Sequence, residues 1–174
     1  IKLKKKILVT GGIGFIGSHT VIKLLERNYE IIVVDNLSNS DFEVKSRIRS
    51  LIGKDFEFVK GDIRDRYLLR SIFKEKIVEH VIHFAGLKAV GDSEKYPLDY
   101  YSNNVIGSLT LFQEMQKANI KSIIFSSSAS VYGNSKYKKC PETAPLKPIS
   151  VYAKTKLIVE EILKNLHASD PEWK

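Results

Sequence analysis

Short apolar runs alternate with amphipathic stretches along the whole chain. The apolar runs predict five strands, at 7–9, 31–34, 56–59, 78–84 and 122–125. The stretches between them predict a helix from near Phe15, one ending at Leu51, and others at 65–76, 97–118 and 150–166. A long irregular loop is expected at 133–149. Strands and helices that alternate in this way are typical of an α/β fold with a doubly wound parallel sheet.

The first strand runs into a glycine-spaced turn and a helix, in the sequence KKILVTGGIGFIG. Gly11 allows a sharp turn, Gly14 lets a ligand approach the backbone, and Gly17 lets the helix lie close to the sheet. The helix from Phe15 then points its free N–H groups at a phosphate. It is expected to face the sheet with an apolar stripe and its neighbours: Ile16, Thr20 and Leu24, with Val21 and Leu25 beside them.

The second strand ends at an acid, Asp35. This acid follows Gly17 at close to the spacing of about 20 residues at which a carboxylate accepts the adenosine ribose hydroxyls of a dinucleotide. Because an acid would repel the extra phosphate of NADP, the sequence predicts NAD. The alternative is an ordinary glycine-rich turn before a buried helix, and the combination of strand, helix, second strand and acid disfavours it.

Length and composition set the class of protein. A chain of 174 residues fits one domain, so residues 1–174 are expected to form a single cofactor-binding unit. No apolar run approaches the roughly 20 residues of a membrane span, and no signal peptide is expected before the first strand. The lone Cys140 cannot form an internal disulfide and favours a reducing compartment, so we expect a cytoplasmic protein without a membrane partner.

The formal net charge of +8 raises the alternative of nucleic-acid binding. Much of the excess lies in two clusters, Lys2 to Lys6 and Lys136 to Lys139. No basic strand studded with aromatic residues accompanies them, so a solvated lysine-rich surface is favoured and no nucleic-acid partner is expected.

Several polar or small segments follow predicted strands and should meet at one edge of the sheet, where doubly wound folds bind ligands. They are the glycine turn, Asp35, Phe84–Lys88 and Ser126–Ser128. Asp62 follows the third strand and has two interpretations: it accepts from an adenine amino group, or it caps the next helix.

Tyr152 and Lys156 lie four residues apart on a predicted helix and therefore share a face. A lysine ammonium near a phenol favours the phenolate, which makes the tyrosine usable as a base near neutrality. A surface helix is the alternative. The pair follows the strand that ends in three serines, and a serine, a tyrosine and a lysine beside NAD predict the removal of a hydride and a proton from a secondary alcohol.

The histidines predict no metal site. His80 and His83 are three apart on a strand and point to opposite faces, so they cannot chelate one ion together. His19 is expected to pack inside the first helix, and His167 lies near the chain end.

In order along the chain, the words LVTGGIGFIGSHT, VVDNLSNS, KGDIRD, VIHFAGLKAVGDS, YYSNNVIGSLTL, IIFSSSASVYG and YAKTK resemble the UDP-galactose 4-epimerases of the extended short-chain dehydrogenase/reductase superfamily. The first and last words are typical of the superfamily, whereas HFAGLKAVGDS and YYSNNV are closer to the epimerases. The Thr-Asp-Glu of a sugar-nucleotide dehydratase is absent near Ser128–Ser130.

The resemblance implies a Rossmann-type domain that binds NAD and a UDP-hexose. The implied cofactor contacts are Gly11, Gly14, Phe15, Ile16, Gly17, Asp35, Asn36, Asn39, Ser40, Asp62, Ile63, Phe84, Ala85, Gly86, Lys88, Asn103, Ser126, Tyr152 and Lys156. The implied catalytic residues are Ser128, Tyr152 and Lys156, and the implied substrate contacts are Lys88, Ser128 and Tyr152.

The implied reaction interconverts UDP-galactose and UDP-glucose. Tyr152 takes the proton of the sugar 4-hydroxyl, directly or through Ser128, while C4 gives its hydride to NAD⁺. The 4-keto sugar rotates and takes the hydride back on its other face, so NAD⁺ is regenerated. The alternatives are a non-catalytic NAD-binding module and another sugar-nucleotide enzyme of the superfamily.

Three residues depart from the implied pattern. Ile13 is bulky where the phosphate loop usually has a small residue, and Val151 and Ala153 flank Tyr152 where proline and glycine are more usual. The family pattern also continues beyond Lys174 into a smaller substrate domain, so this chain alone is expected to be inactive. A homodimer is expected, through the helices at 97–118 and 150–166.

Overall fold

A computed structural model describes residues 6–134 and 139–174 of the chain. Most of the two predicted basic clusters, Lys2–Lys5 together with Lys136 and Lys138, lies outside these described residues.

Five parallel strands form one sheet: β1 (Lys6–Thr10), β2 (Glu30–Asp35), β3 (Glu57–Lys60), β4 (Val78–His83) and β5 (Ile123–Phe125). Their spatial order is β3-β2-β1-β4-β5. Thr10 pairs with Val34 on one side and with His83 on the other, so the strands end at one edge. The predicted doubly wound parallel sheet is confirmed.

The α-helices are α1 (Phe15–Glu26), α2 (Glu43–Ile52), α3 (Arg66–Glu75), α4 (Val90–Lys95), α5 (Pro97–Tyr100), α6 (Gly107–Lys117) and α7 (Val151–Ser169). A π-helix at Tyr101–Ile106 joins α5 to α6, so the helix predicted at 97–118 exists but widens in its middle. The sequence did not predict α4, this π-helix or a single 3₁₀ turn at Ala129–Tyr132.

Both faces of the sheet are covered at its centre, which explains why β1 and β2 read as nearly unbroken apolar runs. Along β1, Leu8 belongs to one buried cluster, while Ile7 and Val9 belong to the other. Along β2, Ile32 and Ile31 divide in the same way.

Helix α1 rests on the sheet with part of the predicted stripe and its neighbours, and Ile16 is the exception. Gly17, Val21 and Leu25 are buried, whereas Ile16 is 48% exposed. Gly17 has to lie against the Gly11 carbonyl, and this contact turns the Gly17 face inward. The expectation that His19 packs inside is wrong for the same reason, since this residue is exposed.

Ile13, the bulky residue of the glycine turn, points away from the ligand side of that turn. It is 2% exposed and packs in the same buried cluster as Val9 and Val33. Its size therefore adds to the core.

Among the helices of the described residues, none combines the length and apolar character needed to cross a membrane.

Candidate functional site

The glycine turn forms the first wall of a cleft at the carboxyl edge of the sheet. Gly11 has φ +67°, and a Cβ there would lie 2.7 Å from the Ala85 nitrogen. A Cβ at Gly17 would collide with the Gly11 carbonyl oxygen. These contacts pin the turn between β4 and α1, so the first N–H groups of α1 border the cleft and favour an anion.

The cleft has a volume of about 540 Å³, enough for a nucleotide ligand. The predicted cofactor residues that line it are Gly11, Gly14, Phe15, Ile16, Asp35, Asn36, Asn39, Ser40, Ile63, Phe84, Ala85, Gly86, Lys88 and Asn103. Leu87, within the predicted segment Phe84–Lys88, also lines the cleft, and further lining residues that sequence reasoning missed are Val34, Ser38, Gly61, Ala89, Asp92 and Tyr100. The predicted residues outside this lining are Gly17, Asp62, Ser126, Ser128, Tyr152 and Lys156.

Asp35 ends β2 inside the cleft and is 8% exposed. Its Oδ1 accepts from the Leu37 N–H at 3.0 Å and from the Ser40 hydroxyl at 2.8 Å. Both of these contacts use Oδ1, so Oδ2 keeps its capacity to accept from a ligand hydroxyl.

Asp62 lies between two residues that line the cleft, Gly61 and Ile63, and is hydrogen-bonded by its neighbours. Arg64 donates to Asp62 at 2.7 Å and Asn36 donates at 3.2 Å. The hydrogen bond from the Arg64 side chain is the main cause that lowers the pKa of Asp62 to about 2. The cap of α3 is Asp65, which accepts from the Tyr67 and Leu68 N–H groups.

Tyr152 and Lys156 lie on the inner face of α7, which begins where Ser150 accepts from the Ala153 N–H. The Lys156 amine lies 5.8 Å from the centre of the Tyr152 ring, and the two residues are 2% and 8% exposed. Lys156 donates to the Ser126 carbonyl at 2.9 Å. A buried amine, a phenol and a serine backbone therefore meet at one point.

Burial is the main cause that lowers the pKa of Lys156 to about 7, and the nearby positive charge of Lys88 adds to it. Both protonation states of this amine are therefore populated near neutrality. A Cβ at Gly86 would lie 3.8 Å from the same amine, so Lys156 adjoins the loop that lines the cleft.

Ser128 begins the 3₁₀ turn after β5. Its Oγ accepts from the Ser130 hydroxyl at 2.8 Å and from the Ser130 N–H at 3.2 Å. Ser127, between the two predicted serines, donates a short hydrogen bond to Glu160 of α7. The serine loop is thus held against the helix that carries Tyr152.

Two features that support the site escaped sequence reasoning. Asn104 in the π-helix accepts from the Leu87 N–H at 2.8 Å and donates to the Leu87 carbonyl at 2.9 Å. Val151, where the family pattern usually has proline, donates its N–H to Glu94 at 2.8 Å. The word YYSNNV marked the first region, but helical periodicity cannot reveal a π turn.

Within the described residues, no group of three or more metal-ligating side chains is placed to hold an ion.

Comparisons with known proteins agree with the resemblance read from the sequence. The protein family described as GDP-mannose 4,6 dehydratase matches residues 8–173. The chain is 50% identical to a UDP-glucose 4-epimerase of Bacillus subtilis over 96% of this chain and 49% of that protein. It is 52% identical to one of Dictyostelium discoideum over 97% of this chain and 49% of that protein.

The fold matches a solved structure described as UDP-glucose 4-epimerase from Bifidobacterium longum in complex with NAD⁺ and UDP. The TM-score is 0.95 at 44% identity, over 98% of this chain and 51% of the other. The chain thus spans about half the length of the curated relatives it matches.

Proposed function

We propose, from the premise that the chain belongs to the protein family described as GDP-mannose 4,6 dehydratase, that it is the NAD-binding part of a UDP-glucose 4-epimerase. The observation that carries the proposal is the Lys156 amine, buried beside Tyr152 and next to the Gly86 loop of the cleft. An NAD⁺ and UDP complex is described for the Bifidobacterium relative, which supports the same ligands here. Residues 1–174 are proposed as one cofactor-binding domain.

The residues of the cleft fit NAD. The first turn of α1 suits the pyrophosphate, and Asp35 Oδ2 suits the adenosine ribose. Asn36, Asn39, Ser40 and Ile63 complete that side in the proposal. The Asp62 carboxylate already accepts from Arg64. We propose that the same carboxylate also contacts the adenine while it keeps this ion pair.

The other end of the cleft is proposed to hold the nicotinamide and the sugar. Phe84, Ala85, Gly86, Lys88 and Asn103 line it. The Ser126 loop, Tyr152 and Lys156 adjoin it through Gly86.

Bound NAD⁺ would supply a hydride acceptor at this end of the cleft. The protein supplies the proton chemistry. Tyr152, as phenolate, takes the proton of the sugar 4-hydroxyl, directly or through Ser128, and later returns it. The hydrogen bond from Lys156 to the Ser126 carbonyl fixes the amine between α7 and the serine loop, beside Tyr152.

The first experiment uses the longest natural protein that carries this chain. UDP-galactose is supplied with and without added NAD⁺, and UDP-glucose and NADH are followed. Conversion without accumulation of NADH supports the epimerase. Accumulation of NADH would instead mean a net dehydrogenase, and NAD⁺ binding without conversion would mean a cofactor-binding module.

The proposal includes a homodimer through α5–α6 and α7. Leu98 of α5, Ile106 of the π-helix and Leu109 of α6 are 81%, 55% and 39% exposed, and Ile158 on α7 is 36% exposed. Apolar side chains grouped on adjacent helices suit a contact with a second subunit. Light scattering of wild type and Ile106→Asp tests this, since the variant should be monomeric.

The cytoplasm is proposed as the compartment, because the exposed Cys140 thiol is unpaired and a reducing environment keeps such a thiol free.

A further inference from the structure

His83 ends β4 directly before the cleft loop and is 1% exposed. Its ring contacts two hydroxyls: Thr10 Oγ1 at 2.6 Å from Nδ1, and Ser108 Oγ at 2.8 Å from Nε2. Each of these hydroxyls also makes a second contact. Ser108 Oγ lies 2.5 Å from the Asn104 carbonyl, and Thr10 Oγ1 lies 3.3 Å from the Ala85 nitrogen.

The outer contacts fix every proton in this chain of groups. The Asn104 carbonyl can only accept, so the single Ser108 proton goes to it. Ser108 must then accept from His83, which places the ring proton on Nε2. A neutral ring has a bare Nδ1, which accepts the Thr10 proton, and Thr10 in turn accepts from the Ala85 N–H.

The two ends of this hydrogen-bond chain lie in different elements beside the cleft. Ala85 belongs to the loop after β4, and Asn104 belongs to the π-helix beside the cleft residue Asn103. The side chain of Asn104 also accepts from the Leu87 N–H and donates to the Leu87 carbonyl, so two further hydrogen bonds join the π-helix to the loop.

We propose that His83, held as the neutral Nε2–H tautomer, is a positioning residue that sets the distance between the Ala85–Leu87 loop and the π-helix, and thereby the fit of the nicotinamide end of NAD. The site it serves rests on the proposed function. The hydrogen-bond chain itself does not.

The surroundings of His83 favour the neutral ring. Burial is the main cause that lowers the pKa of His83 to about 3, and the charges of Lys156 and Lys88 act in the same direction. A charged ring would need a second acceptor, whereas Thr10 and Ser108 already complete the neutral one.

Two pairs of variants of the longest natural protein test the positioning role. Thr10→Val keeps the shape and loses the hydroxyl, and it should raise the Kd for NAD⁺ about fivefold, because the hydroxyl that joins His83 to the Ala85 N–H is lost. Thr10→Ser keeps the hydroxyl and should stay within about twofold of wild type. If packing mattered instead, the order would reverse and the proposal would be overturned.

Ser108→Ala should also raise the Kd about fivefold. Its matched control is Thr110→Val, which removes an equivalent bond to a helix carbonyl, that of Ile106, without touching His83. Both hydroxyls act through the His83 ring. The double variant Thr10→Val and Ser108→Ala should therefore raise the Kd by less than the product of the two single increases. Equal weakening by Thr110→Val, or full multiplicativity, would overturn the coupling.

A readout independent of NAD separates this inference from the proposed function. Nitrogen NMR of histidine-labelled protein, with His83 assigned by comparison with His83→Gln, should show a protonated Nε2 and a bare Nδ1. The opposite tautomer overturns the proton assignment whether or not NAD⁺ binds. Wild-type protein that shows the expected tautomer but binds no NAD⁺ would overturn the positioning role together with the proposed function, and leave the hydrogen-bond chain standing.

Discussion

Ionisable groups beside the two ends of the cleft are held in opposite ways. Near β2 and β3, Asp62 is paired with Arg64 at 2.7 Å, and this pairing lowers the pKa of the carboxyl. Near α7, Lys156 is buried against Tyr152 and Phe125, and burial lowers the pKa of the amine. The first shift stabilises the fold and the second costs stability. The Asp62–Arg64 pair therefore stabilises the end of the cleft that is proposed to bind the adenosine, whereas burial of Lys156 destabilises the end that is proposed to react.

The largest expected effect is at the end of the cleft that is proposed to react. Tyr152→Phe in the longest natural protein should lower turnover of UDP-galactose by roughly 10²- to 10⁴-fold, because the proton acceptor is lost. Binding of NAD⁺ should change little. Tyr67→Phe, at a tyrosine that is 78% exposed, is the control. Full turnover by Tyr152→Phe would sink the proposed mechanism.

At the binding end, Asp35→Ala should raise the Kd for NAD⁺ by roughly 10- to 100-fold, as expected for the loss of hydrogen bonds to a charged acceptor. Isothermal titration measures the change. The control is Asp41→Ala, since Asp41 is exposed and its side chain accepts the Glu43 N–H of its own turn. Equal losses in both variants would point to a general charge effect.

Lys156→Met should remove activity and yet stabilise the protein at pH 6, by on the order of 2 kcal/mol, because a buried charge is removed. Folding lowers the pKa of Lys156 from 10.5 to about 7, so the unfolded chain binds more protons between these values. The free energy of unfolding of the wild type therefore rises with pH across this window, and the advantage of the variant shrinks.

Denaturant unfolding at several pH values checks this slope. Lys154→Met is the control, because Lys154 lies on the same helix and is exposed. A variant less stable than wild type at pH 6 would show that the tie to Ser126 outweighs the cost of burial.

The smallest expected effect is at the paired carboxyl. Arg64→Ala should lower the free energy of unfolding near pH 7 by about 0.5 kcal/mol, since the pair is partly exposed to solvent. The pKa of Asp62 is lowered from 3.8 to about 2, so this contribution is present above pH 3.8 and is lost as the pH falls towards 2. Unfolding curves at pH 7 and pH 2 should differ between wild type and variant only at pH 7.

The sequence predicts the features that local spacing determines and misses the contacts between residues far apart in the chain. The strands, Gly11, Gly14 and Asp35 follow from local rules of spacing and chain direction, and they line the cleft. The place of Ile16 in the stripe of α1 was misjudged because periodicity does not say which face a glycine contact selects. The ties from Val151 to Glu94 and from His83 to Ser108 join residues far apart in sequence, so only the folded chain brings them together.

The π-helix at Tyr101–Ile106 shifts the phase of a long helix. One extra residue per turn rotates everything after it by about 100° relative to a regular α-helix. Before the shift, Tyr100 meets the cleft, and after it Leu111 and Met115 meet the core. A regular helix of this sequence would have to give up one of these two contacts. Deletion of a single residue within 101–106 would remove the extra residue, so a regular α-helix of the shortened sequence should keep both contacts.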